Sequence, residues 1–425
     1  MSNRPILLAA LCFAISCGSR PPAIDAGIEQ EIARIRAIDN HAHPVRVTAS
    51  GEAPDRGFDA LPVDNMEPFS DPVAMRPGSA AVKEATQAIY GGQSKDDAIR
   101  SKAENYPSWV LDQMGIDVML ANRVEMGSSI LPPRFLWVPY ADALIFPFDN
   151  SALAAKNSDR KAFFTLEDVL RRKYLDAVNL ATPPDTLSEY LNRVVTPVLE
   201  RHKQGGAIAE KFEAAYLRQL DFHRVDRAQA ERVYAQLVSK TAPDETAYQL
   251  VQDYLFHYVA AECGRLGMAV HLHTMAGAGG YFEIAGTNPL LLEPVLNDPE
   301  LRKTNFVMVH GGWPFIREMG ALLAKPNAYL DISNQTLVFS PAVLAGNLRE
   351  WLEYVPEKVM FGTDAYPYSK EMGWEESGWI ATRAARKSLG LALTGMLRDG
   401  VITRERALEL ARMVLRENAR KLYKL

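Results

Sequence analysis

Eight short runs of strand-forming residues recur along the chain, separated by helical or polar segments. They are IRAIDNHAH (35–43), IDVMLAN (116–122), RFLWVPYADAL (134–144), GAIAEKF (206–212), MAVHLHT (268–274), NFVMVHG (305–311), AYLDIS (328–333) and KVMFGTD (358–364). Most are rich in Val, Ile, Leu, Met and Ala without strict alternation, the pattern of strands covered on both faces. Helical signals lie between the later runs. Asp244 to Gly264 is periodic, and Asn288-Pro289 and Ser340-Pro341 each offer a cap followed by proline at the first helical position. Near the C-terminus, Thr403 caps a stripe of Ala407, Leu410, Ala411, Val414, Leu415 and Leu422. Eight alternations of strand and helix predict an α/β fold, a (β/α)8 TIM-type barrel. The competing open, doubly wound sheet would put its Gly-x-Gly-x-x-Gly turn after the first strand, and no such turn is there. Two long insertions, 44–110 and 145–205, lack the apolar periodicity of independent domains and are expected as lids over the barrel mouth.

The N-terminus has a separate logic. Arg4 precedes an apolar run from Pro5 to Ile15, and Ser16-Cys17-Gly18 follows. That is the layout of a secretory signal, and the run is short for a membrane span. The small residues before Cys17 resemble a bacterial lipoprotein cleavage box. Residues 1–16 are therefore read as the signal, 17–28 as a tether and 29–425 as the barrel. The expected location is outside the cytoplasm, in the periplasm or held at a membrane surface through a lipidated Cys17. Of the 3 cysteines, Cys12 leaves with the signal and Cys17 carries lipid, so Cys263 has no partner and no disulfide framework is expected. The net charge of -5 gives no reason to expect nucleic-acid binding. The expected partner is a small-molecule substrate, with a homo-oligomer possible.

The chain has 8 histidines, and five of them sit at strand ends. His41 and His43 are two residues apart at the end of the first strand, so they share a face, with Cα atoms roughly 6–7 Å apart. His271 and His273 repeat that spacing, His310 ends the sixth strand and Asp364 ends the eighth. Each strand histidine alone is an ordinary satisfied core residue. Together they occupy the C-terminal ends of the strands, where barrels build active sites. Imidazoles joined by a carboxylate suit Zn²⁺ or a similar divalent ion.

These residues resemble the amidohydrolase superfamily, in its amidohydrolase-related branch. The matching pieces are HAHP, HLHT, VHGGWPF, YLDIS, FGTDA and the closing ENARKLYKL. The likeness is greatest to the amidohydrolase half of proteins linked to glutamine synthetase. It implies that His41, His43 and His273 hold the metal. Asp364 would ligate it and take the proton from metal-activated water. His310 would polarise the substrate carbonyl or stabilise the oxyanion. The metal implied is divalent, most simply one zinc, with two ions if Lys211 is carboxylated as in some relatives. Other relatives use a lysine or arginine there to hold a substrate carboxylate, so Lys211 and Arg218 are candidate substrate groups. Tyr216 and Trp313 are candidate substrate contacts. Tyr366, Tyr368, Trp374 and Trp379 either line the mouth or fill the rim. His271 has no implied role and is taken as a supporting or core histidine. The implied reaction is hydrolysis of a C–N amide bond in a small molecule. Non-oxidative decarboxylation of a small unsaturated or aromatic acid is the alternative.

Overall fold

The computed structural model describes residues 23–48, 51, 53–60, 72–76, 78–156, 160–238, 244–277, 279–280, 282–369 and 371–425. The signal sequence and Cys17 lie outside the described residues. Among the described residues there are eight strands: β1 (Ala37–Ala42), β2 (Ile116–Asn122), β3 (Phe135–Val138), β4 (Ala209–Phe212), β5 (Ala269–His273), β6 (Phe306–Val309), β7 (Ala328–Asp331) and β8 (Val359–Met360). All pairings are parallel, in the orders β1-β2-β3 and β4-β5-β6-β7-β8.

Backbone hydrogen bonds join the two sheets at both edges. Between β3 and β4, Ile208 donates to Trp137 at 3.1 Å, Lys211 to Pro139 at 2.7 Å and Ala141 to Lys211 at 2.8 Å. Between β8 and β1, Asn40 donates to Phe361 at 3.0 Å, Asp364 to His41 at 2.8 Å and His43 to Ala365 at 2.8 Å. The result is the expected barrel, with no exposed sheet edge at either seam.

The floor of the barrel is apolar. Ile38, Leu120, Val138, Ala209, Ala269, Val307 and Met360 pack together there, and Ala419, Leu422 and Tyr423 from the C-terminal end of the chain pack against them. A larger core, with Trp351, Phe256, Leu393 and Leu410 among its members, fills the space between strands and helices.

Several expected local signals work as anticipated. Asp244 caps helix Glu245–Leu266 by accepting from the Ala247 N–H. That helix runs two residues past Gly264 because Gly267, at φ 67°, takes the left-handed turn that ends it. Thr403 caps Arg404–Arg412. Pro341 opens helix Pro341–Tyr354, although the Ser340 side chain makes no cap bond. The third strand is shorter than its sequence suggests. Pro139 removes a ladder donor, and the chain turns into a short helix at Asp142–Ile145. The folded body also begins before residue 29. Asp25 caps helix Ala26–Arg34, and its carboxylate pairs with Arg404 at 2.6 Å.

Candidate metal centre and active site

β1 carries the chemistry because its register slips. Pairing with β2 advances from Asp39↔Met119 to Ala42↔Ala121, so three steps on β1 match two on β2. An extra residue of this kind re-aims side chains. Ile38 can then face the apolar floor while His41 and His43, of opposite parity, face the same interior above it.

His41 Nε2 and His43 Nε2 are 3.3 Å apart. Asp364 Oδ1 lies 3.1 Å from the first and 3.4 Å from the second. Bonds of about 2.0–2.1 Å to a tetrahedral ion put neighbouring ligand atoms about 3.3 Å apart. These three are the group of His, Cys, Asp or Glu ligand atoms gathered this tightly among the described residues. His43 Nδ1 lies 3.0 Å from the Phe58 carbonyl, to which it donates, and 3.2 Å from the Tyr140 hydroxyl. The neutral ring therefore turns a bare Nε2 toward Asp364, as a metal ligand should. The Asn122 amide meets His41 Nδ1 at 2.8 Å. The donor set fits a divalent ion.

Electrostatics agree. Burial lowers the His41 pKa well below the usual imidazole value, and the Lys211 ammonium adds to this. Burial opposes protonation of His43 too, but the Asp364 and Asp59 carboxylates outweigh it and raise its pKa. Burial would raise Asp364, but His310, His41 and His43 hold it well below the ordinary carboxylate range. It is ionised.

His273 lies beside this triad rather than in it. Its Nε2 donates to the Met275 carbonyl at 2.8 Å, which leaves Nδ1 as the nitrogen for an ion. Its ring contacts His310 at 4.7 Å and Tyr216 at 4.6 Å between centroids. Tyr216 also stacks on Phe163 from the second insertion.

His310 and Asp364 have φ of 71° and 58°. Positive φ is costly for residues with a Cβ and marks sites the surroundings over-determine. The surroundings of His310 are explicit. Asp331 Oδ1 accepts from the His310 N–H at 3.1 Å, from the Ser333 N–H at 3.0 Å and from the Ser333 hydroxyl. Ser333 Oγ is 2.8 Å from His310 Nδ1. Having given its proton to Asp331, Ser333 accepts from Nδ1–H, so neutral His310 has a lone pair at Nε2. Burial lowers its pKa to about 4. Neutral His310 thus accepts at Nε2, and it stabilises an oxyanion only once it has gained a proton. Asn122, Asp331, Ser333 and Tyr140 were not singled out from the sequence. The available signal was a polar residue ending or following an apolar strand, as in IDVMLAN and YLDIS.

The other candidates divide. Lys211 is buried, with Nζ 3.6 Å from Glu213 Oε1. Arg218 pairs with Asp253 at 2.7 Å, reaches Gln252 at 3.1 Å and lies over Phe222, so its guanidinium is engaged in pinning its own loop. Trp313 follows His310 and packs on Phe339. Tyr366 meets the His43 ring at 5.5 Å, with Tyr368 beside it. Trp374 is buried in the core, and Trp379 lies over Arg383 between helices. His271, deeper in the barrel, binds the Tyr423 hydroxyl at 2.7 Å, and that hydroxyl donates to Asn40 at 2.5 Å.

A family model described as "Amidohydrolase" matches residues 200–425, more than half of the chain. The chain belongs to the amidohydrolase family. In this amidohydrolase the cluster of His41, His43 and Asp364 is one that could hold a metal ion. It is 27% identical over 218 residues to the protein fluG of Emericella nidulans, a match covering 48% of this chain and 24% of that one. The chain thus spans about a quarter of the length of that relative. Its fold is similar to a Lactobacillus casei protein for which metal-dependent hydrolase activity has been suggested, with a TM-score of 0.66 at 15% identity over 95% of this chain and 98% of the other. It is also similar to the glucuronate isomerase of Caulobacter crescentus, with a TM-score of 0.62 at 11% identity over 94% and 93%. At those identities the likeness concerns the fold.

Proposed function

We propose that this amidohydrolase hydrolyses a C–N amide bond in a small molecule, using one zinc ion that His41, His43 and Asp364 would hold, with His273 beside them. The observation that carries this reading is the cluster of two imidazole nitrogens and one ionised carboxylate oxygen, 3.1 to 3.4 Å apart, at the C-terminal ends of β1 and β8. A bound divalent ion polarises a carbonyl and lowers the pKa of water from 15.7 to about 7. The protein's own groups do the rest. Asp364, ionised and held by its backbone bond to His41, accepts the proton of the attacking water. His310, with Nδ1 fixed on Ser333 and Nε2 bare, takes that proton on from Asp364 and passes it to the departing amine, which leaves Asp364 ionised again. Tyr216 and Tyr366, packed against His273 and His43, border the site and exclude water from its walls.

The test is product analysis on the zinc-loaded protein. Small amides, γ-glutamyl amides included, and small unsaturated or aromatic acids are assayed side by side. Release of an amine and a carboxylate supports hydrolysis. Release of carbon dioxide from the acids, with the amides untouched, would replace it by decarboxylation. Export and tethering through Cys17 stand beside this as a proposal. Cys17→Ser should move the protein from the membrane fraction to the soluble one.

A further inference from the structure

Beside the metal centre lies a group of acids that the reaction above does not use. Asp142 opens the short helix after β3, Glu213 follows β4, and Glu167 reaches in from helix Lys161–Ala177 of the second insertion, which packs on Asp142–Ile145. Glu167 is 1% exposed, Asp142 0% and Glu213 3%. One oxygen of Asp142 accepts from the Glu213 N–H at 2.8 Å. Its other oxygen, both oxygens of Glu167 and Oε2 of Glu213 are buried without a hydrogen-bond partner among the described residues. Lys211 lies 3.6 Å from Glu213 and acts favourably on both Glu213 and Asp142, while no cation is among the main influences on Glu167. The group adjoins the active site. The backbone of Tyr140 pairs with Lys211, and its hydroxyl lies 3.2 Å from His43 Nδ1.

Orphaned buried carboxyl oxygens need hydrogen-bond partners, and acids that burial keeps protonated ionise readily once a cation is placed among them. A metal answers poorly. These oxygens do not form a cluster as tight as the one made by His41, His43 and Asp364 among the described residues. A group with several N–H donors spread over a few ångströms answers both needs. The likeness-based expectation that Lys211 grips a substrate carboxylate runs against the sign of its surroundings.

We propose that Asp142, Glu167 and Glu213 form a recognition site for a cationic, hydrogen-bond-donating arm of the substrate, a primary ammonium or a guanidinium. The amide hydrolysed would then carry a positive charge near the scissile bond, a specificity that rests on the amide-hydrolase reading. Glu167 supplies the lid's share of the site, so a bound cation also ties the second insertion down onto the barrel. Burial raises the carboxyl pKa values of Asp142 to about 7 and Glu213 to about 8, and burial together with the neighbouring acids holds Glu167 well above the usual carboxylate range, as expected of acids that await a counter-charge.

The experiment uses the zinc-loaded full chain. Three amides matched in size but ending in an ammonium, a hydroxyl or a carboxylate are compared in the wild type and in Glu167→Gln. 1,4-Diaminobutane is titrated calorimetrically as a probe independent of turnover. The wild type should favour the ammonium amide over the hydroxyl one by about tenfold or more in kcat/KM. Glu167→Gln should remove most of that preference through KM, with metal content unchanged. Asp142→Asn takes its place if Glu167→Gln does not fold. Amides turned over without preference for the cation, or a preference that survives both substitutions, would overturn the site while leaving the hydrolase reading intact. If no amide is turned over, the probe decides. Saturable diamine binding lost in Glu167→Gln supports the site although the hydrolase reading has failed, and no diamine binding to the wild type overturns it.

Discussion

Asp364 Oδ1 stands 3.1 and 3.4 Å from two imidazole nitrogens, and its chemistry depends on the neighbours that orient those rings. The largest residue-scale effect should come from His41, whose loss removes a ligand outright. His41→Ala should reduce bound metal to near background and abolish turnover, as measured by elemental analysis and assay of the same sample. Ser333 touches no expected ligand, yet it sets which nitrogen of His310 is bare. Ser333→Ala should lower kcat by about 10- to 100-fold, the usual cost of losing a group that orients a site histidine, with metal content and KM little changed. The core of the candidate site was legible from the sequence because strand periodicity and strand ends locate it. His41, His43, His310 and Asp364 needed only that rule to be placed in one mouth. Asn122, Asp331 and Ser333 were not legible, because their roles come from neighbours 81, 21 and 23 positions away in the chain. The carboxylates of Asp142, Glu167 and Glu213 were hidden for the same reason. Each looks like a solvent-facing acid until the fold brings them together.

At the scale of elements, the eight strands could be read directly from runs of apolar residues. The irregularities that make the site could not. The slip in β1 that turns His41 and His43 inward shows in the sequence only as a polar stretch, Asp39-Asn40-His41. Pro139 gave the signal that ends β3, and that signal was outweighed by the apolar residues after it. The turn after β6 is closely packed. Gly311 has φ 60°, and a Cβ there would lie 2.8 Å from Gln335 Nε2, 2.9 Å from Trp351 and 3.2 Å from the Asp331 carbonyl. Gly311→Ala should therefore destabilise the fold by about 1–3 kcal/mol, read by denaturant unfolding, and should cost activity by shifting His310. A normal unfolding midpoint in that variant would show that the turn tolerates the clash.

Across the whole molecule, the site's demand for buried charge sets a pH dependence on stability. In the folded chain burial raises Asp142 to about 7 and Glu213 to about 8, against ordinary values of 3.8 and 4.5. Between those limits the unfolded chain has released protons that the folded chain keeps. The stabilisation is complete below about pH 4 and is lost as pH rises toward 8. Asp142→Asn cannot ionise, so its melting temperature relative to the wild type should be higher at pH 8 than at pH 5. Each tenfold change in proton affinity on folding is worth about 1.4 kcal/mol, which makes the difference on the order of 1 to 4 kcal/mol. A difference of the opposite sign would mean that Asp142 is ionised in the fold. No helix among the described residues is long and apolar enough to cross a membrane. The most direct measurement for the metal centre is the metal content of the purified protein after exposure to zinc, taken with its amidase activity and repeated on His41→Ala. About one divalent ion per chain is expected in the wild type, lost together with activity in the variant. A wild type that hydrolyses amides without metal, or a His41→Ala protein that keeps its full complement, would contradict the assignment of His41, His43 and Asp364 as the metal centre.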